Sequence, residues 1–310
     1  MRILVTGGAG YIGSVLVPEL LRAGHRVTVL DSLMFEQTPL LDVCYMDGFE
    51  FVRGDVRDAD LVKGLMKDAE AIFPLACLTG APLCKKDPLA AQTVIVDAVR
   101  EMLKNRSPDQ LLIYPTTNSG YGVGQEGRYC TEETPLRPVS AYGKLKCEAE
   151  AMILDAGNSV AFRLATVFGV SPRMRLDLLV NDFTYRAVND RFIILFEADF
   201  KRNYIHVRDV SRAFMYALEN WNAMRGDVYN LGLSDANLSK WELCEAIAEH
   251  VPGFCFVRAE VGEDEDKRDY EVSNAKIEGA GYAPAFPLAQ GLAELVKAYR
   301  IVRRNQYANA

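Results

Sequence analysis

An α/β fold built on a doubly wound parallel sheet is predicted by two features of this 310-residue chain. Short apolar runs alternate with longer amphipathic ones through its first half, which is the pattern of repeated strand and helix units. The first apolar run, Arg2-Ile-Leu-Val5, leads directly into Thr6-Gly-Gly-Ala-Gly-Tyr-Ile-Gly13 and then into a helical pattern. The spacing of Gly7, Gly10 and Gly13 lets the backbone turn tightly, approach phosphate oxygens without a Cβ, and pack the next helix close to its strand.

The elements follow from periodicity. Strands are expected over residues 3–6, 27–31, 49–52, 71–75, 111–115 and 160–164. Helices lie between them. Residues 12–22 carry apolar positions at helical spacing and residues 60–66 do so briefly, while residues 88–104 and 140–154 are long enough to cross over between parallel strands. Beyond Gly169 the regularity fails. Residues 172–175 read as a loop, 178–188 as a helix and 226–231 as a late strand, followed by a helix near 240–250, a strand near 255–259 and a helix near 289–302. The expected division is a Rossmann-type dinucleotide-binding domain of residues 1–168, with 204–232 returning to it. A smaller, mixed α/β substrate-binding lobe of residues 169–203 and 233–310 is expected over the carboxyl ends of the strands, where open α/β sheets bind ligands.

Composition narrows the function classes. Hydrophobic residues make up 49% and charged residues 25%, ordinary for a chain with a large core. A net charge of −7 gives no overall attraction to nucleic acid or anionic membrane, so neither is expected as a partner and an anionic substrate must be held locally. Seven scattered cysteines without a C-x-x-C pair suit reduced thiols in a cytoplasm. The first residues do not read as a signal peptide, and the longest uncharged run, residues 71–84, is too short to span a bilayer. His25, His206 and His250 do not cluster, so no metal site is expected.

The candidate chemistry starts at the glycines. The following helix N-terminus faces an anion, and Asp31, at the end of the next apolar run, stands where a carboxylate binds adenosine ribose hydroxyls. That charge would repel a 2′-phosphate, which favours NAD over NADP. Tyr142 and Lys146 fall four residues apart in an expected helix, hence on one face. A phenolate can take a hydroxyl proton as hydride leaves carbon. Tyrosine titrates near 10, so work near pH 7 needs a shift of ~3 units, about 4 kcal/mol, for which Lys146 and a positive nicotinamide ring are the expected sources. Thr117, in Thr116-Thr-Asn-Ser-Gly-Tyr-Gly122 at the end of an expected strand, is the candidate to hydrogen-bond the reacting oxygen. Plainer readings stand beside these: a tight turn, a half-exposed Tyr/Lys surface pair and a strand-end cap.

Together these segments resemble the extended short-chain dehydrogenase/reductases that act on nucleotide sugars, over nearly the whole chain. The glycine loop looks like that family's cofactor loop, Gly54-Asp55-Val56-Arg57-Asp58 is similar to its adenine-contacting segment, and Thr117, Tyr142 and Lys146 match its catalytic set. The resemblance implies cofactor contacts at Gly7, Gly10, Tyr11, Ile12, Gly13, Asp31, Asp55, Val56, Leu75, Tyr142 and Lys146. It implies a nucleotide-diphosphate sugar held by Thr117, Asn118, Asn181, Arg202 and Arg268, the two arginines binding diphosphate. Lys267 adjoins the second of them, and His206 reads as a structural hydrogen-bonder. A homodimer through the helices of residues 88–104 and 140–154 is also implied, although Val94, Ala98 and Leu103 could equally face the sheet.

Departures from the family's pattern narrow the reaction. Members that eliminate water carry Asp-Glu after the threonine; here Asn118 and Ser119 occupy those places and cannot exchange a proton in the usual way at neutral pH. Oxidation at the sugar C4 remains, leading either to a released ketone or to 4-epimerisation with tightly bound NAD. Residues 78–86, 118–122, 162–181 and 202–209 resemble a bacterial subgroup of GDP-heptose 4-dehydrogenases of capsule and surface polysaccharide biosynthesis. Cys84 and Lys85 could be read as an acid/base pair for inversion, or as a buried thiol beside a loop lysine. A non-catalytic NAD-sensing regulator is the alternative of another class; such proteins generally lack the Tyr/Lys pair.

Overall fold

A computed structural model describes residues 1–125, 127–261 and 268–302. Seven strands form one parallel sheet: β1 (Arg2–Thr6), β2 (Arg26–Asp31), β3 (Phe49–Arg53), β4 (Ala71–Pro74), β5 (Leu111–Thr117), β6 (Ser159–Leu164) and β7 (Asp227–Leu231). Their spatial order is β7-β6-β5-β4-β1-β2-β3. The period-two alternation of each strand sends its residues to two separate cores. Ile3, Val5, Phe73, Ile113 and Phe162 enter one, while Leu4, Leu30, Ile72, Leu112 and Tyr114 enter the other. Burial on both faces is why the inner strands read as nearly continuous apolar runs, whereas the edge strand β3 is largely exposed.

The chain winds from β1 outward to β3, then returns to β4 on the other side and continues to β7. This reversal opens a crevice at the carboxyl ends of β1 and β4, the place where doubly wound sheets bind ligands. Helix α1 (Gly13–Arg22) buries Leu16, Val17, Leu20 and Leu21 against one face. Helix α2 (Ala59–Met66) starts at Asp58, whose carboxylate accepts the Leu61 N–H at 3.0 Å. Helix α3 (Ala141–Asp155) is capped in the same way by Ser140, which accepts from the Gly143 N–H at 3.1 Å.

The helix expected over residues 88–104 is not continuous. It runs as α-helix over Pro88–Gln92, widens into a π turn over Thr93–Asp97 and resumes over Ala98–Asn105. The branched run Thr93-Val-Ile-Val96 crowds successive turns, and the Thr93 hydroxyl bonds back to the carbonyls of Leu89 and Ala90 at 3.0 and 3.2 Å.

The later half is more regular than its sequence suggests. Helix α4 (Leu179–Asn189) agrees with expectation, whereas helix α5 (Val207–Glu219) and the strand Phe192–Leu195 lie outside it. The signal for α5 was present in the helical spacing of Val207, Val210, Ala213, Phe214 and Ala217, all buried. Lys201–His206 pairs with Thr166–Phe168 and Asn237–Ser239 in a three-stranded sheet. The boundary expected at residue 204 thus falls inside a strand, while α5 lies on α1 and β7 edges the main sheet. Among the described residues no helix is long and apolar enough to cross a membrane.

Candidate active site

A cavity of about 600 Å³ occupies the crevice. Its floor is the glycine loop. Gly7 has φ of +70°, and a Cβ built there would lie 2.5 Å from the Ala76 nitrogen; one on Gly13 would lie 2.5 Å from the Gly8 carbonyl oxygen. Only glycine fits, leaving bare backbone facing the cavity. Asp31 closes the far end, its two oxygens accepting the N–H groups of Ala9 and Leu33 at 2.9 Å each. Burial pushes the Asp31 carboxyl up from its ordinary value, against the pull of these hydrogen bonds and of Arg173. Tyr11, Ile12, Asp55, Val56 and Leu75 line the same wall as Gly7, Gly10, Gly13 and Asp31. Asp55 is gripped by Arg57 through two contacts of 2.9 and 2.5 Å, which hold its carboxyl low. A turn so tight that a Cβ at Gly7 or Gly13 would collide with neighbouring backbone, followed by an acid at the end of β2, fits a dinucleotide carrying free ribose hydroxyls.

The opposite wall carries the candidate chemistry. Thr117 ends β5 in extended backbone, and the turn Asn118–Tyr121 follows. Its hydroxyl accepts the Ser119 N–H at 3.1 Å and donates to the Ser119 Oγ at 3.0 Å. Arg268 donates to that same Ser119 Oγ. Tyr142 stands in the first turn of α3 with Lys146 one turn on, and both line the cavity with Thr117 and Arg268.

The electrostatics differ from expectation. Lys146 is 3% exposed and burial lowers its pKa to about 8. Tyr142 is pushed well above its ordinary value, first by burial and then by the Cys77 thiol, with Arg175 and Arg268 opposing. The protein alone therefore does not acidify the phenol. The Lys146 ammonium sits over the face of the Tyr114 ring.

Several sequence candidates lie elsewhere. Asn118 is buried outside the cavity lining, and neither of its amide atoms has a hydrogen-bond partner. Asn181 is also sealed: it accepts the Gly169 N–H at 3.0 Å and donates to Tyr11 Oη at 3.2 Å and to the Arg175 carbonyl at 2.9 Å. It braces the cavity wall without facing the cavity. Arg202 is buried, donates to the Lys201 carbonyl at 2.9 Å and faces the Tyr270 ring, and it is Tyr270 that reaches the lining. Cys84 donates to the Leu78 carbonyl at 3.3 Å, burial pushes its thiol up to about 11, and Lys85 is exposed; neither lines the cavity. Lys267 lies outside the described residues. His206 is buried and bonded to Glu294 at 2.8 Å and to the Arg208 N–H at 3.2 Å. Val94 lines the cavity, and Ala98 is buried in the fold.

Sequence reasoning passed over Arg173 and Arg175, which both enter the cavity from the loop before α4. Arg175 pairs with Asp177 through two contacts of 3.2 and 2.5 Å. Two arginines flanking one residue in an acidic chain were the available signal.

Comparison with known proteins places this geometry among relatives. Residues 3–232 match the NAD dependent epimerase/dehydratase family. The chain is 29% identical to dTDP-glucose 4,6-dehydratase of Streptomyces niveus, over 97% of this chain and 93% of the relative. It is 32% identical to UDP-glucose 4-epimerase of Mycolicibacterium smegmatis, over 97% and 99% respectively. Its fold is similar to that of Thermus thermophilus UDP-glucose 4-epimerase solved with NAD, with a TM-score of 0.83 and 25% identity over 98% of this chain and 100% of that one. These relatives are named for dTDP-glucose and UDP-glucose, not for the GDP-heptose of the subgroup resemblance.

Proposed function

Because this chain belongs to the NAD dependent epimerase/dehydratase family, we propose that it uses NAD to oxidise the C4 hydroxyl of a nucleotide-diphosphate sugar without eliminating water. One observation carries the reading. Thr117, Tyr142 and Lys146 share a cavity with the glycine loop, while Asn118 is sealed away and Ser119 is engaged by Thr117 and Arg268. The cavity wall thus offers a proton acceptor for an alcohol, and the two positions after Thr117 hold no acid and base for dehydration.

In this reading the Thr117 hydroxyl hydrogen-bonds the reacting oxygen and orients it. The Tyr142 phenol oxygen takes its proton, and Lys146 holds ribose hydroxyls. Arg268 meets the substrate diphosphate. NAD, when bound, supplies the hydride acceptor and a positive ring charge. Arg175 and Arg268 already oppose the burial of Tyr142, so the protein contributes part of the acidifying field.

The same residues serve a 4-epimerase, favoured by the 32% identical relative, and a dehydrogenase of the GDP-heptose type, favoured by the resemblance over residues 78–86. Purified protein is offered UDP-, dTDP- and GDP-linked hexoses and heptoses, and nicotinamide absorbance is followed as products are analysed. An inverted alcohol identifies the epimerase and an accumulating ketone the dehydrogenase. Loss of water from the sugar, or neither an inverted alcohol nor a ketone from any of them, refutes the proposal.

A further inference from the structure

We infer that Arg173 is a cofactor-binding residue whose guanidinium, carried onto the glycine loop by the segment that follows the main-sheet strand β6, is the counter-charge for the dinucleotide pyrophosphate. The inference rests on the NAD reading above and adds a residue to it. The segment from Gly169 to Arg173 is fastened to the loop at several points. The Tyr11 hydroxyl donates to the Gly169 carbonyl at 2.7 Å, the Ser171 hydroxyl donates to the Tyr11 carbonyl at 2.8 Å, and Ser171 Oγ lies 2.8 Å from Ser14 Oγ. The Arg173 N–H then donates to Ser14 Oγ at 3.3 Å, in the first turn of α1. Its backbone is therefore set at the end of the helix that would face the phosphates.

The side chain lines the cavity and is 3% exposed. Its guanidinium carbon lies 4.4 Å from the centre of the Phe35 ring, in the loop that follows Asp31, and Nη1 donates to the Met174 carbonyl at 3.0 Å. The head is thus held between the glycine loop and the ribose-binding end, where a pyrophosphate must pass.

Charge balance points the same way. The glycine loop offers backbone N–H groups and the partial charge of one helix end, in a chain of net charge −7. Burial first, and then the neighbouring Arg175, lower the pKa of Arg173 to about 10, with the carboxylates of Asp177 and Asp31 opposing. The planar fork of a guanidinium in this position can bind a phosphate bidentately.

The test uses nucleotide-stripped full-length protein and isothermal titration with NAD, ADP, adenosine and NADP, on wild type, Arg173→Gln and Arg173→Lys. Arg173→Gln is expected to weaken NAD and ADP by about ten-fold or more and adenosine hardly at all, with Arg173→Lys between them. Ligand-free melting checks that the variants fold, and Arg173→Lys supplies the comparison if Arg173→Gln does not. Equal affinity of wild type and both variants for ADP overturns the inference, as does an equal loss for adenosine. So does a loss confined to NADP, which would make Arg173 a reader of the 2′-phosphate. Wild type that binds ADP but not NAD overturns the NAD reading instead.

Discussion

The Lys146 ammonium stands 3.8 Å from the centre of the Tyr114 ring. In that buried position its pKa is lowered from 10.5 to about 8. A lysine whose folded value lies below its unfolded one costs stability fully below the folded pKa, and the cost fades as pH rises toward the unfolded value. Lys146→Met is therefore expected to stabilise the cofactor-free protein at pH 7 by on the order of 1 kcal/mol, after loss of the cation–π contact. The gain shrinks between pH 8 and 10.5. Urea melts of both proteins across that range check it, and the variant is expected to lose activity.

Tyr142 is held protonated by burial, so its work as a base requires added charge or added pH. The rate of sugar oxidation is expected to climb with pH across the neutral range. Tyr142→Phe should lower kcat by about 100-fold or more while leaving the fold intact. A pH-rate profile that is flat in wild type, or a variant with full activity, contradicts this role.

Ser119 stands where the family resemblance implies a glutamate in water-eliminating members, and it is in contact with Arg268. Ser119→Glu is expected to form an ion pair with Arg268 rather than act as a base. Mass analysis of products should show no loss of water, while the substrate KM rises several-fold because the arginine is occupied. Appearance of a dehydrated sugar would contradict the expectation.

Glu150 and Arg163 form an ion pair beneath the site at 2.6 Å, both buried, with Arg163 also donating to the Tyr121 hydroxyl at 3.1 Å. Removing one partner leaves the other charge uncompensated. Glu150→Gln is expected to cost about 3 kcal/mol in denaturant unfolding, whereas opening the exposed Lys104/Glu101 pair by Glu101→Gln should cost under about 1 kcal/mol.

By itself the sequence determined the glycine loop, Asp31, the Tyr142/Lys146 pair, Thr117 and the strands from β1 to β6. Each is a matter of local spacing: a period of two, a period of three to four, or glycine where no Cβ fits. Helix α5 carried the same kind of signal and was legible in principle. Tertiary structure decided what spacing cannot encode, namely which polar groups face the cavity and what their surroundings do to their charge. Asn118 and Arg202 are turned into the protein, and Asn181 is spent on Tyr11, 170 residues away in the chain. Arg173 reaches the glycine loop only because Ser171 is fastened to Tyr11 across 160 residues. The phenol of Tyr142 is raised rather than lowered, since the desolvation of a side chain depends on everything packed around it and not on the neighbour one helical turn away.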